Sequence, residues 1–131
     1  MPRRKRASPQ KHPIGCGIDV VDVAQFRQTV KRRGAAFLRR VFTAQERKYA
    51  TRQRFAILHL SARFAAKEAV IKAMAQIDPA HVFAFQQIEI VNDPLGRPSV
   101  VLHGMPTRSP TVHVSLTHAK SVAAACAVVI R

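Results

Sequence analysis

Two carboxylates in apolar surroundings, Asp19 and Glu68, are the residues of this 131-residue chain best suited to chemistry. Asp19 follows a short β-type run that begins at Ile14. Glu68 belongs to a helical stretch, where it lies only about 40–60° around the helix from Phe64 and Ile71. A carboxylate at the edge of a core is costly to bury without a cation. Because Mg²⁺ is commonly held by one or two carboxylates together with substrate phosphates, the pair suggests a shared magnesium site.

Each carboxylate also has a plainer interpretation. Asp19 could be a turn or helix-cap residue, and Glu68 could form an i,i+4 ion pair with Lys72, worth about 0.2–0.5 kcal/mol. That ion pair would not explain why Glu68 lies so close to the core. Arg63, Lys67 and Lys72 project around the same helix. Beside a phosphate they would neutralise charge in a phosphoryl transfer, and otherwise they form an ordinary cationic face.

The segment 112–118 alternates as a strand does, with His113, Ser115 and Thr117 on one face and His118 at the strand's exit. His118 could contact a phosphate or an adenine ring, or it could be structural. The chain contains no HExxH, GxxxxGK[ST] or GxGxxG motif and no Ser-His-Asp order. Protease, zincin, P-loop and Rossmann functions are therefore not supported by the sequence.

The helices that must position these residues are indicated by apolar periodicity and by capping signals. A helix is predicted from Asp22 to Lys31, ended by Gly34, with a short helical piece over 36–41. Thr43-Ala44-Gln45-Glu46 is a capping box that opens a helix of about ten residues. The long helix that carries Glu68 is predicted from about Phe55 to Ala75.

After the long helix the apolar period changes from 3.6 to 2, which indicates strands. The turn signal Asp93-Pro94-Leu95-Gly96 joins two of them into a hairpin. The last strand consists mostly of Ala, Val and Ile and is expected to be buried on both faces. One strand, then helices, then strands indicate an α+β fold. The predicted strands are 14–21, 86–92, 98–103, 111–116 and 122–130.

The composition indicates one compact domain over 14–131, preceded by a basic tail over 1–13 that is expected to be disordered. No apolar run reaches the length of a membrane span, and no apolar segment of the secretory type follows the basic start. Two cysteines at Cys16 and Cys126 have neither metal spacing nor a disulfide pattern. These features favour a cytoplasmic protein that does not span a membrane.

Charge is the strongest compositional signal: 22 Lys and Arg stand against 7 Asp and Glu. Most of the excess outside the tail lies between Arg27 and Lys72. A concentrated basic surface attracts nucleic acid, an acidic protein or a phosphorylated small molecule. It could also be a solvated surface with no partner.

Five segments, taken together and in order, resemble the holo-acyl-carrier-protein synthase family, the small type of 4′-phosphopantetheinyl transferase. The run RFAAKEAVIKA together with GIDVV is the specific part of the resemblance, which covers nearly all of 14–131. The matching segments are 15–21, 42–46, 63–69 with 72–73, 88–90 with 92–93 and 96–98, and 112–118.

The resemblance implies a long helix packed on a mainly antiparallel sheet, and it implies a reaction. Coenzyme A is bound with its pyrophosphate on Mg²⁺. A serine hydroxyl of an acyl carrier protein attacks the β-phosphorus. Phosphopantetheine moves to the serine, and adenosine 3′,5′-bisphosphate leaves.

By motif, the resemblance implies that Asp19 and Glu68 are the magnesium ligands and act in catalysis together with Lys72. Lys72 would contact the pyrophosphate and stabilise charge in the transition state. The general base stays open between a metal-bound water and Glu68. The predicted coenzyme A contacts are Arg63, Lys67, Lys72, Ser115, Thr117 and His118.

The resemblance further implies a homotrimer with active sites at subunit boundaries and an acidic carrier-protein partner, which the basic excess suits. Two departures bear on that partner and on the coenzyme. Gln25 stands where the family usually has an arginine, and Arg27 is rotated from that position by about 200°. The segment 74–79 lacks the family's glycine-rich turn, so phosphate contacts there would be rebuilt, for instance with His81, or lost.

Two other functions remain open from the sequence. The departures at Gln25 and 74–79 suit a coenzyme A-binding relative that no longer transfers the group. The charge and the tail suit a basic nucleic-acid-binding module, although the chain has no tryptophan, one tyrosine and no RNA-binding motif. Which carrier protein is used, from fatty acid, polyketide or another pathway, is not determined.

Overall fold

A computed structural model of the chain describes residues 12–105 and 108–131. The predicted tail lies almost wholly outside these residues, so the domain boundary at 13/14 stays a prediction. The elements in chain order are β1 (Ile14–Asp22), α1 (Val23–Val41), α2 (Ala44–Thr51), α3 (Ala56–Ile77), a short 3₁₀ turn (Phe85–Gln87), β2 (Ile88–Asn92), β3 (Pro98–Leu102), β4 (Thr111–His118) and β5 (Val122–Ile130).

Side chains cap the starts of α1 and α2. The Asp22 carboxylate accepts a hydrogen bond of 2.8 Å from the backbone N–H of Gln25 at the start of α1. At Gly34 the backbone turns to φ 68°, where glycine is favoured, and helical structure resumes to Val41. The helix and the short helical piece expected around Gly34 are therefore two parts of one kinked element. Thr43 and Glu46 form the predicted capping box of α2.

The fold is α+β, as predicted, with every strand pair antiparallel. One sheet has the order β1-β5-β4, and β2 and β3 form a separate hairpin. The long helix α3 packs across one face of the larger sheet, mainly on β1 and β5. The register places Asp19 opposite Ala125, and Ala125 opposite Leu116. Asp19 therefore lies in β1 under α3, in position to meet side chains of that helix.

The expectation that β5 is buried on both faces is wrong for the single chain. Alternate residues of β5, such as Ala125 and Val129, are buried under α3, whereas those between them point to the open face of the sheet. That open face, which we call the outer face, also carries Ile18, which is 67% exposed. The apolar composition of β5 therefore reflects one core face and one open apolar face. The large apolar residues exposed on the outer face are Ile14, Ile18, Val20, Val122, Val128 and Ile130.

Two glycines allow β1 and α3 to approach closely. A Cβ at Gly15 would overlap the carbonyl oxygen of Ala73, and a Cβ at Gly17 would overlap that of Ala69. Both neighbours are backbone atoms, which cannot move without displacing the helix. The glycines thus set the separation between the strand that carries Asp19 and the helix that carries Glu68.

Replacing Gly17 with alanine is expected to destabilise the fold by about 1–3 kcal/mol, because the added methyl group forces α3 away from β1. The free energy of unfolding from urea titration checks this. Cys16→Ala, which alters the adjacent exposed residue, is the control and should change stability by less than about 0.5 kcal/mol. Equal stability of Gly17→Ala and the wild type would contradict the close packing.

Among the described residues, no helix combines the length and apolar character needed to cross a bilayer.

Candidate active site

A cleft of about 510 Å³ lies between α1, β1 and α3 and contains both carboxylates singled out from the sequence. Its floor is apolar, formed by rings of Phe26, Phe37 and Phe64, and Phe26 and Phe64 have centroids 5.4 Å apart. These aromatic residues hold α1 against α3, and so they fix the width of the cleft. The polar residues that line it are Asp19, Asp22, Gln25, Thr29, Arg33, Glu68 and Lys72.

Lys72 joins the two elements that supply the carboxylates. Its ammonium lies 3.0 Å from a carboxylate oxygen of Asp19 and donates a hydrogen bond of 2.9 Å to the backbone carbonyl of Ile18. Within the described part of the chain, Lys72 makes its ion pair with Asp19 and none with Glu68. The plainer interpretation of Glu68, an ion pair with the next turn of its own helix, is therefore wrong.

The plainer interpretation of Asp19 is also wrong. Asp19 lies inside β1, three residues before the strand ends, and Asp22 is the residue that caps α1. Since neither the helix cap nor a turn requires Asp19, its carboxylate is free to serve the cleft together with the Lys72 ammonium.

The electrostatics of the cleft suit a divalent cation. Burial raises the pKa of Glu68, the negative charge of Asp19 raises it further, and Lys72 partly opposes both effects. The charged form of Glu68, which is disfavoured at this half-buried position beside a second carboxylate, is stabilised when a cation binds there. The oxygen donors are those that Mg²⁺ prefers.

No group of three or more His, Cys, Asp or Glu side chains placed to hold a metal occurs in the described residues. Two protein carboxylates are sufficient for Mg²⁺, which usually keeps several waters and takes further ligands from substrate phosphates. Asp19 and Glu68 therefore fit a magnesium ion that is shared with a phosphorylated substrate.

A second polar group lies near the start of α3, around Arg63. The guanidinium of Arg63 lies 3.9 Å from the centroid of the Tyr49 ring and is almost wholly buried. Burial lowers the pKa of Arg63, and Tyr49 and Glu46 oppose the shift. The Nε–H of Arg63 is buried and has no hydrogen-bond partner among the described residues. A donor left unsatisfied in this way is costly, so the burial of Arg63 is only partly compensated within the described residues.

His59 lies near Arg63, and His118 lies beside His59. Their rings meet edge to face with centroids 5.8 Å apart. Burial lowers the pKa of His59, with further contributions from the charges of Arg63 and His118. A histidine held neutral presents an aromatic surface that can stack on a heterocyclic base.

The two polar groups are separate within one chain. His59 and Glu68 are nine residues apart along α3, a rise of about 13 Å. Ser115 and Thr117 lie on the outer face, on the other side of the sheet from α3. The structure thus brings Asp19, Glu68 and Lys72 together, and it places the other predicted coenzyme contacts elsewhere.

The structure corrects the predicted role of Lys67 as a coenzyme A contact. Its ammonium and the Glu46 carboxylate form an ion pair in which both side chains have no exposed surface. Glu46 also accepts hydrogen bonds from the backbone N–H groups of Thr43 and Ile90. Burial lowers the pKa of Lys67, and Glu46 opposes that shift. An enclosed ammonium cannot contact a ligand that arrives from solvent, so Lys67 has a structural role and not the predicted coenzyme-binding one.

Several residues that line the cleft or pack around Arg63 were not predicted from the sequence as site residues. Gln25, Thr29 and Arg33 are spaced by four residues on α1, which is the one sequence signal that could have placed them on a common face. Tyr49 and His59 had no such signal, because they come from different helices and meet only in the folded chain.

The segment without glycine, 74–79, continues α3 to Ile77. Gln76 accepts a hydrogen bond of 2.9 Å from the backbone N–H of Cys16 through its side-chain carbonyl. His81 packs on Phe83, with ring centroids 4.2 Å apart. The segment thus supports β1, and nothing in these contacts turns His81 toward the cleft.

The chain is similar to known proteins over almost all of its length. A sequence model of the 4′-phosphopantetheinyl transferase superfamily matches residues 15–127. A holo-[acyl-carrier-protein] synthase from Syntrophus aciditrophicus is 37% identical over 117 residues, which are 85% of this chain and 91% of that protein. One from Mycobacterium leprae is 41% identical over 121 residues, covering 86% of this chain and 92% of the relative.

Solved structures show the same similarity. An ACPS–CoA complex from Chronobacterium ammoniagenes has a TM-score of 0.78 at 27% identity, with 91% of this chain and 98% of that chain covered. An acyl carrier protein synthase from Mycobacterium tuberculosis has a TM-score of 0.69 at 40% identity, with 88% of this chain and 95% of that chain covered.

Proposed function

The chain belongs to the 4′-phosphopantetheinyl transferase superfamily and is a transferase, and from this membership we propose that it is a Mg²⁺-dependent holo-acyl-carrier-protein synthase. Its substrates are coenzyme A and an apo acyl carrier protein. The products are the phosphopantetheinylated carrier and adenosine 3′,5′-bisphosphate. The observation that carries the proposal is the cleft in which Asp19 and Glu68, from two elements, lie beside the Lys72 ammonium.

Asp19 and Glu68 would hold the magnesium ion, which supplies charge neutralisation at the pyrophosphate. Lys72 is fixed between Asp19 and the Ile18 carbonyl, with a third N–H that neither contact uses. That N–H is suited to a pyrophosphate oxygen. Lys72 therefore stabilises the negative charge that develops on the leaving group.

The transfer replaces one phosphorus–oxygen bond by another. The serine oxygen of the carrier forms a bond to the β-phosphorus of coenzyme A, and the bond from that phosphorus to the bridging oxygen breaks. Adenosine 3′,5′-bisphosphate leaves with the bridging oxygen. The serine proton passes to a base in the cleft, for which Glu68 and a water molecule are the two candidates.

We further propose that the protein is a homotrimer with each active site at a subunit boundary. Two observations support this assembly. Arg63 lies about 140° around α3 from Glu68, so the two groups face different sides of the helix in one chain, whereas neighbouring copies could combine them. The outer face exposes large apolar side chains from β1 and β5, and such contiguous patches mark interaction sites.

A lysine in place of Ile18 is expected to break the trimer, because it would bury an unpaired ammonium in the apolar interface. Light scattering after size-exclusion chromatography should then report the mass of one chain, and transfer activity should fall by about tenfold or more. Leu95→Lys is the control, since Leu95 is exposed in the β2–β3 turn, away from the outer face. A trimer that persists in Ile18→Lys, or a wild-type monomer that is fully active, would refute the assembly.

The free thiols of Cys16 and Cys126 support our proposal that the protein acts in the reducing cytoplasm. The cationic side chains of α1 and α2 would attract an acidic carrier protein and accelerate encounter.

Intact-mass analysis tests the function. An apo acyl carrier protein incubated with this protein, coenzyme A and Mg²⁺ should gain about 340 Da, the mass of the phosphopantetheine group, and a chelator should abolish the gain. No gain on any of several carrier proteins, with coenzyme A binding retained, would instead identify a relative that binds the coenzyme without transfer. Salt-sensitive binding to nucleic acid without coenzyme A binding would identify the nucleic-acid-binding alternative.

A further inference from the structure

A second cavity, of about 370 Å³, lies at the C-terminal end of α3, where the helix meets the residues that precede β4 and follow β5. None of its lining residues lines the cleft that contains Asp19. Met74 and Ile77 line this cavity, and they lie about 140–200° around α3 from Lys72. The cavity is therefore on the other side of the helix from the Lys72 ammonium, and nothing in the proposed transfer uses it.

The wall of this cavity is mainly apolar. Met74, Ile77 and Phe83 are buried side chains of the core that also line it. Met105, which follows β3, is partly buried against the same core. The flexible thioether chains of the two methionines can adapt to ligands of different shape. A cavity of this volume and lining is typical of sites that take small organic molecules.

Two arginines add positive charge to the cavity. Arg108 and Arg131 line it, and both residues are exposed. Within residues 12–105 and 108–131, neither guanidinium forms an ion pair with a carboxylate of another residue, and this includes Asp78 of the same cavity. The planar donors of a guanidinium match a carboxylate or a phosphate in bidentate geometry. Because Asp78 repels a doubly charged group more than a singly charged one, a carboxylate fits this cavity better than a phosphate.

We propose that this cavity binds a small carboxylate that carries a hydrocarbon chain. The chain lies on the apolar wall, where each methylene group removed from water strengthens binding about fourfold. The carboxylate accepts hydrogen bonds from Arg108 and Arg131. The basic segment 3–6 of this chain is not a suitable occupant, because both arginines would repel its charge. Binding needs neither coenzyme A nor a carrier protein, so the inference is independent of the proposed function.

Calorimetric titration of the coenzyme-free protein with decanoate, kept below its micelle concentration, tests the proposal. The wild type should bind one decanoate per chain. Arg108→Gln combined with Arg131→Gln should raise Kd about 10- to 100-fold, the effect of losing a hydrogen bond to a charged group. Arg32→Gln combined with Arg40→Gln is the matched control, since it removes the same charge from exposed positions of α1 outside the cavity. At physiological salt the control should change Kd by no more than about twofold. If both pairs raise Kd alike, only diffuse attraction operates and the proposal is wrong.

Methyl NMR signals of the methionines locate the bound ligand. Decanoate should shift the signals of Met74 and Met105, which the variants Met74→Leu and Met105→Leu assign. Acetate has the carboxylate without the chain and should not bind measurably, whereas decyltrimethylammonium has the opposite charge and should bind at least about tenfold more weakly than decanoate. Binding that leaves both methionine signals unchanged would place decanoate on another surface, and equal binding of the cation would remove the role of the arginines. Either result refutes the proposal.

This inference and the proposed function fail separately. A protein that transfers phosphopantetheine but binds no decanoate overturns this inference alone. A protein that binds decanoate at Met74 and Met105 but modifies no carrier overturns the proposed function and leaves this inference standing.

Discussion

Replacing Glu68 with glutamine is expected to reduce transfer by about 100-fold or more while the fold survives. The amide keeps the shape of the side chain but removes the charge that would bind Mg²⁺ and one of the two candidate bases for the serine proton. Activity is measured as the rate at which the carrier gains phosphopantetheine. Added Mg²⁺ should raise the melting temperature of the wild type and leave that of Glu68→Gln unchanged, because a bound ligand stabilises only a protein that binds it.

The raised pKa of Glu68 gives this variant a pH signature. A carboxyl group with a higher pKa in the folded state binds protons more tightly when folded, so its ionisation destabilises the metal-free protein as pH rises. Without Mg²⁺, Glu68→Gln should be as stable as the wild type or slightly more stable at pH 7. The difference in stability between the two proteins should vanish at pH values below the ordinary glutamate pKa near 4.5.

The control for Glu68→Gln is Asp78→Asn, which neutralises an acid at the end of α3 outside the cleft. Asp78→Asn should retain transfer within about threefold. Full activity in Glu68→Gln, or a response of its melting temperature to Mg²⁺ equal to that of the wild type, would contradict the assignment of Glu68.

Replacing Lys67 with methionine is expected to destabilise the protein by about 3–5 kcal/mol, because it leaves the Glu46 carboxylate buried without a cation. For a domain of this size the melting temperature should fall by about 10 °C or more. Urea titration measures the loss. Lys48→Met, which removes an exposed lysine of α2, should cost less than about 0.5 kcal/mol.

A second variant identifies the cause of the loss. Adding Glu46→Gln to Lys67→Met removes the unpaired charge, while the amide oxygen can still accept from the backbone N–H of Thr43 or Ile90. The double variant should recover much of the stability. If Lys67→Met instead keeps its stability and raises KM for coenzyme A, Lys67 is a coenzyme ligand and its structural role is wrong.

The difference between Lys67 and Lys72 shows where sequence reasoning about charges ends. Both are lysines of one cationic helix, and both were predicted to meet the coenzyme. Five residues separate them, which is about 140° around α3. That rotation turns Lys72 toward Asp19 and turns Lys67 toward Glu46. Which acid each lysine meets depends on how α2 and β1 pack against α3, and no local pattern contains that information.

The composition of β5 shows a similar limit. A run of Ala, Val and Ile indicates burial but does not say by what. In the single chain, one face of β5 packs on α3 and the other is open. A strand covered by its own chain and a strand covered by another copy have the same apolar sequence, because both transfer the same side chains out of water.

The sequence by itself determined the features that depend on neighbours along the chain. These are the α+β class, the capping box of α2, the long helix, the hairpin at 93–96 and the two carboxylates of the cleft. Capping, turn chemistry and apolar period act within a few residues, so they can be read locally. The tertiary structure alone decided the partner of each buried charge, the placement of Arg33 in the cleft and the separation of Arg63 and His118 from Glu68. Those outcomes depend on contacts between residues distant in sequence, and a one-residue change of phase along a helix or strand reverses them.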